Sequence, residues 1–137
     1  MAYWLVKSEP GTWSWNNHVE AGTAEWDGVR NYQAANNMKA MKKGDKAFFY
    51  HSVNEKTVVG TLKVAREYYP DPTDPKAKFG MVDFTALKPL KTPVTLQMVK
   101  DDPRLNHLAL VKQSRLSVMP IDDEAWALIC ELGGIKA

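Results

Sequence analysis

The chain has 137 residues, 45% of them hydrophobic and 25% charged, with a formal net charge of +2. That length suits one domain over residues 1–137 that buries roughly two-thirds of its unfolded surface, and the composition is that of an ordinary soluble globular protein. The lone Cys130 excludes an internal disulfide framework, and the apolar run from Tyr3 to Val6, cut at Lys7, is too short for a signal peptide or a membrane span. A cytoplasmic protein working in a reducing compartment is therefore expected. The pI near 8.6 is compatible with nucleic-acid binding without demanding it.

Tyr3 to Lys7 is dense in strand formers and reads as a first strand, ended by Ser8-Glu9-Pro10-Gly11. Thr12 or Ser14 caps a short helix through about Glu20, and a polar loop runs on to Trp26. Asn31 is the N-cap of a second helix whose apolar side, Ala34, Met38 and Met41, has helical spacing. Lys39, Lys42 and Lys43 lie at its C-terminal end, where cations suit the dipole, and Gly44 stops it. Lys46 to Ser52 makes a strand with the aromatic run Phe48-Phe49-Tyr50, followed by a turn at Asn54-Glu55. Thr57 to Tyr69 makes another, in which Gly60 marks a bulge or a close backbone approach.

Pro70 to Lys78 holds three prolines and reads as a loop. Phe79 to Leu90 is a long strand in which Val82, Phe84 and Ala86 alternate with Asp83 and Thr85. Thr95 to Lys100 and Arg104 to Leu110 are brief helical pieces, and Arg115 to Met119 a strand. Asp122 caps a last helix carrying Trp126, Ile129 and Cys130, with Gly133 at its end. With no repeat, linker or low-complexity tract, this mixture predicts a compact α+β domain built on a partly closed barrel.

The segment Trp26-Asp27-Gly28-Val29-Arg30-Asn31-Tyr32 gathers two aromatics, a glycine, a cation and a carboxamide where a loop enters a helix. It closes a stretch holding four of the five tryptophans, Trp4, Trp13, Trp15 and Trp26. A flat ligand stacked between ring faces and hydrogen-bonded at its edge needs such residues, and nucleic-acid bases are such ligands. Each tryptophan taken alone also suits the core of a small domain. Arg30 and the free N–H groups after Asn31 make an anion site at the helix start, or Arg30 is simply a surface residue beside a capping loop.

Metal binding finds no support, because His18, His51 and His107 are far apart and no Cys or His pair has ligand spacing. No phosphate-binding glycine loop, serine elbow or paired-carboxylate signature is present, and no cofactor is expected. Lys7-Ser8-Glu9 is the one cluster that could do chemistry, with Lys7 as base or nucleophile, although such a triplet also suits a strand end with a solvated charge pair. In Tyr50-His51-Ser52, alternation puts Tyr50 and Ser52 on one face, where a hydroxyl could read a base edge or cap a turn.

The blocks YWLVKSEP at 3–10, WDGVRNYQA at 26–34, GDKAFFYHS at 44–52, the run from Gly60 and QSRLSVMPI at 113–121 resemble the EVE domain over essentially the whole chain. The resemblance implies a PUA-like fold, a mixed, partly closed β-barrel with flanking helices, related to the YTH and ASCH domains. It implies a non-catalytic reader of modified bases, chiefly modified cytosine in DNA, with nucleic acid as partner; a monomer without metal or membrane attachment is expected. The base pocket is expected to draw on Ser8, Trp26, Val29, Asn31, Tyr32, Tyr50 and Ser52. Lys7, Arg30 and Lys39 are expected to supply phosphate or edge contacts from one basic face. Two departures stand out: Gln33-Ala34-Ala35-Asn36 lacks the cation of the family's usual QARN, and Val53 replaces an asparagine after the HS pair. The rival expectation is an ASCH-like amidohydrolase acting on an acylated base, with Lys7 and Glu9 as its catalytic pair.

Overall fold

A computed structural model describes residues 1–137. In chain order the elements are β1 (Tyr3–Ser8), α1 (Trp15–Ala21), β2 (Thr23–Trp26), α2 (Tyr32–Ala40), β3 (Lys46–His51) and β4 (Thr57–Pro70). They continue with β5 (Gly80–Thr95), α3 (Leu96–Asp101), α4 (Ala109–Lys112), β6 (Val118–Ile121) and α5 (Asp123–Leu132). The six strands form one mixed sheet in the order β2-β5-β4-β3-β1-β6. Only β1 and β3 run parallel, in the register Leu5 opposite Phe48 and Lys7 opposite Tyr50. A parallel pair needs a long crossover, and here the crossover is the segment carrying α1, β2 and α2.

β4 and β5 are 14 and 16 residues long, and their pairing shifts register at four places. Bulges bend a strand and increase its twist, so this pair curls the sheet. Gly60 lies at two of the shifts. A Cβ there would sit 2.5 Å from the Trp15 ring, so the expected close approach is that of an indole onto bare backbone. The hydrogen-bond ladder does not close, since β2 and β6 remain its two edges. The architecture is the expected α+β fold, a curled mixed sheet with flanking helices rather than a sealed barrel.

Thirty-three buried residues make one hydrophobic cluster. Trp126 of α5 stacks on Tyr3 at 4.5 Å and on Phe48 at 3.9 Å between ring centroids, fastening the last helix to β1 and β3. Asp45, also buried, accepts hydrogen bonds from the backbone of Ala2 and Lys42 and from the Trp4 indole. Its carboxylate ties the chain start and the end of the α2–β3 loop to β1.

Several expected elements differ: β5 runs on to Thr95 past the expected Leu90, and α2 ends at Ala40, before Lys42 and Lys43. Residues 23–26, expected as loop, form the edge strand β2, pairing Thr23 with Thr85 and Trp26 with Val82. Its exposed Thr23 and Glu25 hide the alternation, because only Trp26 is fully buried. Residues expected to form a helix from Arg104 organise instead as turns before the short α4. The strand expected at 115–119 begins only at Val118, because a turn closed by the Leu116 N–H on the Gln113 carbonyl takes the preceding residues.

Candidate functional site

A cleft of about 540 Å³ opens between the end of β1, the turn after it and β2. Its size falls in the range of small-molecule sites, about 300–1,000 Å³. Lys7, Ser8, Glu9, Thr12 and Trp13 line one side, and Ala24, Glu25, Trp26 and Asp27 the other. β1 and β2 have three strands between them in the sheet order yet share this cleft, which is the direct product of the curl. Lys7, Ser8 and Glu9 all reach it, although neighbours on a strand face opposite ways, because β1 ends at Ser8 and the chain turns.

Trp26 is 7% exposed and packs edge-on against Phe49 at 5.3 Å and Phe84 at 5.7 Å. It is at once a core residue and part of the cleft wall. Trp13, half-buried across the cleft, donates its indole N–H to His18 Nδ1 at 3.0 Å. That donation leaves the ring proton of neutral His18 on Nε2, which donates to the Phe84 carbonyl at 2.8 Å. Burial pulls the His18 pKa down, against the opposing pull of that carbonyl and of the Glu25 charge. A neutral imidazole of fixed tautomer thus holds the Trp13 ring in place. The Ser8 hydroxyl donates to the Trp13 carbonyl, and the Glu9 carbonyl accepts from the N–H groups of Thr12 and Trp13. The turn carrying Trp13 is therefore fastened to the strand end.

The opposite wall is held by Asp71. This buried carboxylate accepts from Gly28 N–H at 2.8 Å, Arg30 at 3.1 Å, and the Thr73 N–H and hydroxyl. Burial alone would raise its pKa, but the hydrogen bonds from Thr73, Gly28 and Arg30 outweigh it and bring the value down to about 2. Gly28 has φ of +78°, a conformation that suits glycine and costs other residues. Asp71 was not singled out from sequence; only the fold carries it to the Trp26 loop, 43 residues from Gly28.

The structure brings Lys7, Ser8 and Trp26 of the expected residues to this cleft and leaves the others outside it. Asn31 caps α2, accepting from Ala34 N–H, and lines a second cleft. Val29 is buried in the core. Tyr32 is 65% exposed, with its ring 5.0 Å from that of Phe79. Tyr50 is buried beside the Lys7 ammonium, and burial raises its pKa to about 12. Ser52 serves through its N–H, which donates to the Ser8 carbonyl.

Each of the three cations expected on one basic face has contacts of its own. Arg30 pairs with Asp71 and donates to Thr73, and Lys39 lies over the Tyr68 ring, both against the far end of β4 and β5. Lys7 donates to the Ser114 carbonyl at 2.9 Å, and burial lowers its pKa. Trp13, Glu25 and Asp27 are lining residues that sequence reasoning did not select. Glu25 could be found only by seeing β2.

A family model described as the EVE domain matches residues 2–132. The chain belongs to the EVE domain family. An EVE relative, thymocyte nuclear protein 1 of Mus musculus, is 34% identical over 169 aligned residues, covering 95% of this chain and 73% of the relative. A protein from Rhodopseudomonas palustris solved by NMR is 55% identical with a TM-score of 0.92, covering 98% and 94% of the two chains. The human THYN1 protein, solved in complex with DNA containing 5-methylcytosine, is 32% identical with a TM-score of 0.90 and full coverage of both chains. An ASCH protein from Zymomonas mobilis shares the fold at a TM-score of 0.58 but only 9% identity, covering 96% and 99%. No helix of this EVE domain is long and apolar enough to cross a membrane.

Proposed function

We propose that this protein is a single-domain, monomeric EVE reader, acting inside the cell, that holds a modified cytosine extruded from DNA in the cleft between β1 and β2. The observation that carries the reading is the joint placement of two tryptophans, three carboxylates and one ammonium around a base-sized space. The relative solved with DNA containing 5-methylcytosine supports the choice of base.

The chemistry of the cleft fits a cytosine edge. The exocyclic amine of cytosine is a donor that carboxylates accept well, and Glu9, Glu25 and Asp27 supply such acceptors. The ring nitrogen and carbonyl of cytosine are acceptors, and the Lys7 ammonium and Thr12 hydroxyl are donors in the same cleft. Extruding a base costs a few kcal/mol and stacking returns about 1–3 kcal/mol per base. One ring barely balances the cost, so edge hydrogen bonds and the second tryptophan supply the surplus. A methyl-sized difference adds about 1–3 kcal/mol of discrimination, which makes this a reader of modest selectivity.

The same arrangement favours binding over amide hydrolysis. Lys7 and Glu9 do share the cleft, but the ammonium is engaged by the Ser114 carbonyl and the Ser8 hydroxyl by Trp13. The test is a tryptophan-fluorescence titration with oligonucleotides carrying cytosine, 5-methylcytosine or N4-acetylcytosine, followed by chromatography. Reversible binding with the base recovered unchanged is expected. Time-dependent loss of the acetyl group that vanishes in Lys7→Ala would instead establish the hydrolase.

A further inference from the structure

Two clefts meet beside β1, and their charges are opposite. The base cleft sets Glu9, Glu25 and Asp27 against the single cation Lys7. The second, about 330 Å³, lies between the start of α2 and the turn at residues 113–116. Asn31, Gln33, Lys112, Ser114 and Arg115 line it, and it contains no carboxylate. Lys112 and Arg115 are exposed, and neither belongs to any of the four ion pairs of the protein. Arg30 and Arg104, by contrast, are spent on Asp71 and Asp102. Lys7 joins the two clefts, since it lines the first and its ammonium donates to the Ser114 carbonyl in the wall of the second.

The second cleft is firmly mounted. Leu116 is buried and its N–H closes the turn on the Gln113 carbonyl. Lys7 N–H donates to the Ser117 carbonyl, and the Asn37 amide donates to the Val118 carbonyl, which locks α2 to β6. A fixed backbone under the two cations leaves only their side chains to be ordered on binding.

A DNA strand that delivers a base to the first cleft must carry a phosphate on each side of that base. Like charges repel, so Glu25 and Asp27 exclude the backbone from the β2 side of the opening. The Lys7 side leads instead into a carboxylate-free cleft with two unpaired cations and three carboxamides, the residue types that contact phosphate oxygens. We infer that the cleft between α2 and the 113–116 turn seats the DNA backbone flanking the extruded base, with Lys112 and Arg115 as its phosphate contacts. The inference rests on the base-reader function proposed above. It gives the block at 113–121 a role that the base pocket does not use.

The test compares the wild-type protein with a Lys112→Ala/Arg115→Ala double variant. The probes are the nucleoside 5-methyl-2′-deoxycytidine, duplex DNA with one 5-methylcytosine, and the same duplex unmodified. Titrations run at several salt concentrations from about 50 to 200 mM, where phosphate contacts dominate the salt dependence. The double variant is expected to bind the nucleoside as the wild type does. Its affinity for both duplexes should fall by the same factor, on the order of 10- to 100-fold at low salt, with a salt slope shallower by about 1.8 for two lost phosphate contacts.

An unchanged slope or unchanged duplex affinity in the double variant overturns the inference, as does an equal loss of nucleoside binding. A wild type that binds the nucleoside but shows no salt-dependent DNA binding overturns the backbone cleft and leaves the base reading intact. Salt-dependent duplex binding that needs Lys112 and Arg115, without any nucleoside binding, supports the cleft and removes the base reading.

Discussion

Replacing Asp71 with asparagine tests whether one buried charge holds the wall of the base cleft. Its carboxylate is 2% exposed as a residue and accepts from Gly28, Arg30 and Thr73. The folded-state pKa is about 2 against an ordinary 3.8. A depressed carboxylate pKa contributes stability that is present above the unfolded value and lost as pH falls through the folded one. The shift of just under two units is worth about 2 kcal/mol, at about 1.36 kcal/mol per unit. Breaking a fully buried ion pair costs about 3–5 kcal/mol. The Arg30 side chain is 37% exposed, so water partly replaces its lost partner and the lower figure governs. Asp71→Asn should therefore lose about 2–3 kcal/mol at pH 7. Urea unfolding followed by circular dichroism, on both proteins at pH values from 7 down to 2, reads this directly. The gap should hold down to about pH 4 and shrink as pH approaches 2, since protonation then removes the same charge from the wild type. A gap below about 0.5 kcal/mol at pH 7, or one that persists unchanged at pH 2, refutes the reasoning.

Trp13→Ala should weaken binding of 5-methylcytosine DNA by about 1–3 kcal/mol while the protein stays folded, because Trp13 is half-buried at the cleft; titration and melting curves check both. Trp26→Ala should instead cost about 3–5 kcal/mol of stability, since its ring fills the space between Phe49 and Phe84. Trp26→Phe is the variant whose binding can be measured, and equal stability of the alanine variant and wild type in urea would remove Trp26 from the core. His18, held neutral by burial, contributes stability that is present above pH 6.5 and declines as pH falls below it. His18→Gln should flatten that part of the stability profile, which unfolding curves from pH 8 to 5 would resolve. Gly60→Ala should destabilise by about 1–3 kcal/mol, because its Cβ would sit 2.5 Å from the buried Trp15 indole, which packs edge-on against Phe49; a melting temperature equal to wild type would contradict it.

Local chemistry was readable wherever neighbours in the chain decide the outcome. Asn31 and Asp122 cap their helices as expected, because a side-chain acceptor needs only the N–H three residues on. The strands around Leu5, Phe48 and Phe84 announce themselves through apolar and aromatic runs, and the blocks that resemble the EVE domain are local too. Ser8, Lys7 and Trp26 were placed at the cleft because the strand end and the loop that carry them are continuous motifs. What tertiary structure alone decided is which distant segments meet. β2 exists because Thr23 to Trp26 finds the edge of β5, and nothing in four mixed residues encodes that pairing. Asn31 lies outside the cleft between β1 and β2, and the Gly28 turn before it is held by Asp71 from a loop more than forty residues away. Arg30 pairs with that same carboxylate, while Arg115 is unpaired on a turn beside Lys7. A cation's residue type fixes its charge, but only the fold determines whether an acid already occupies it.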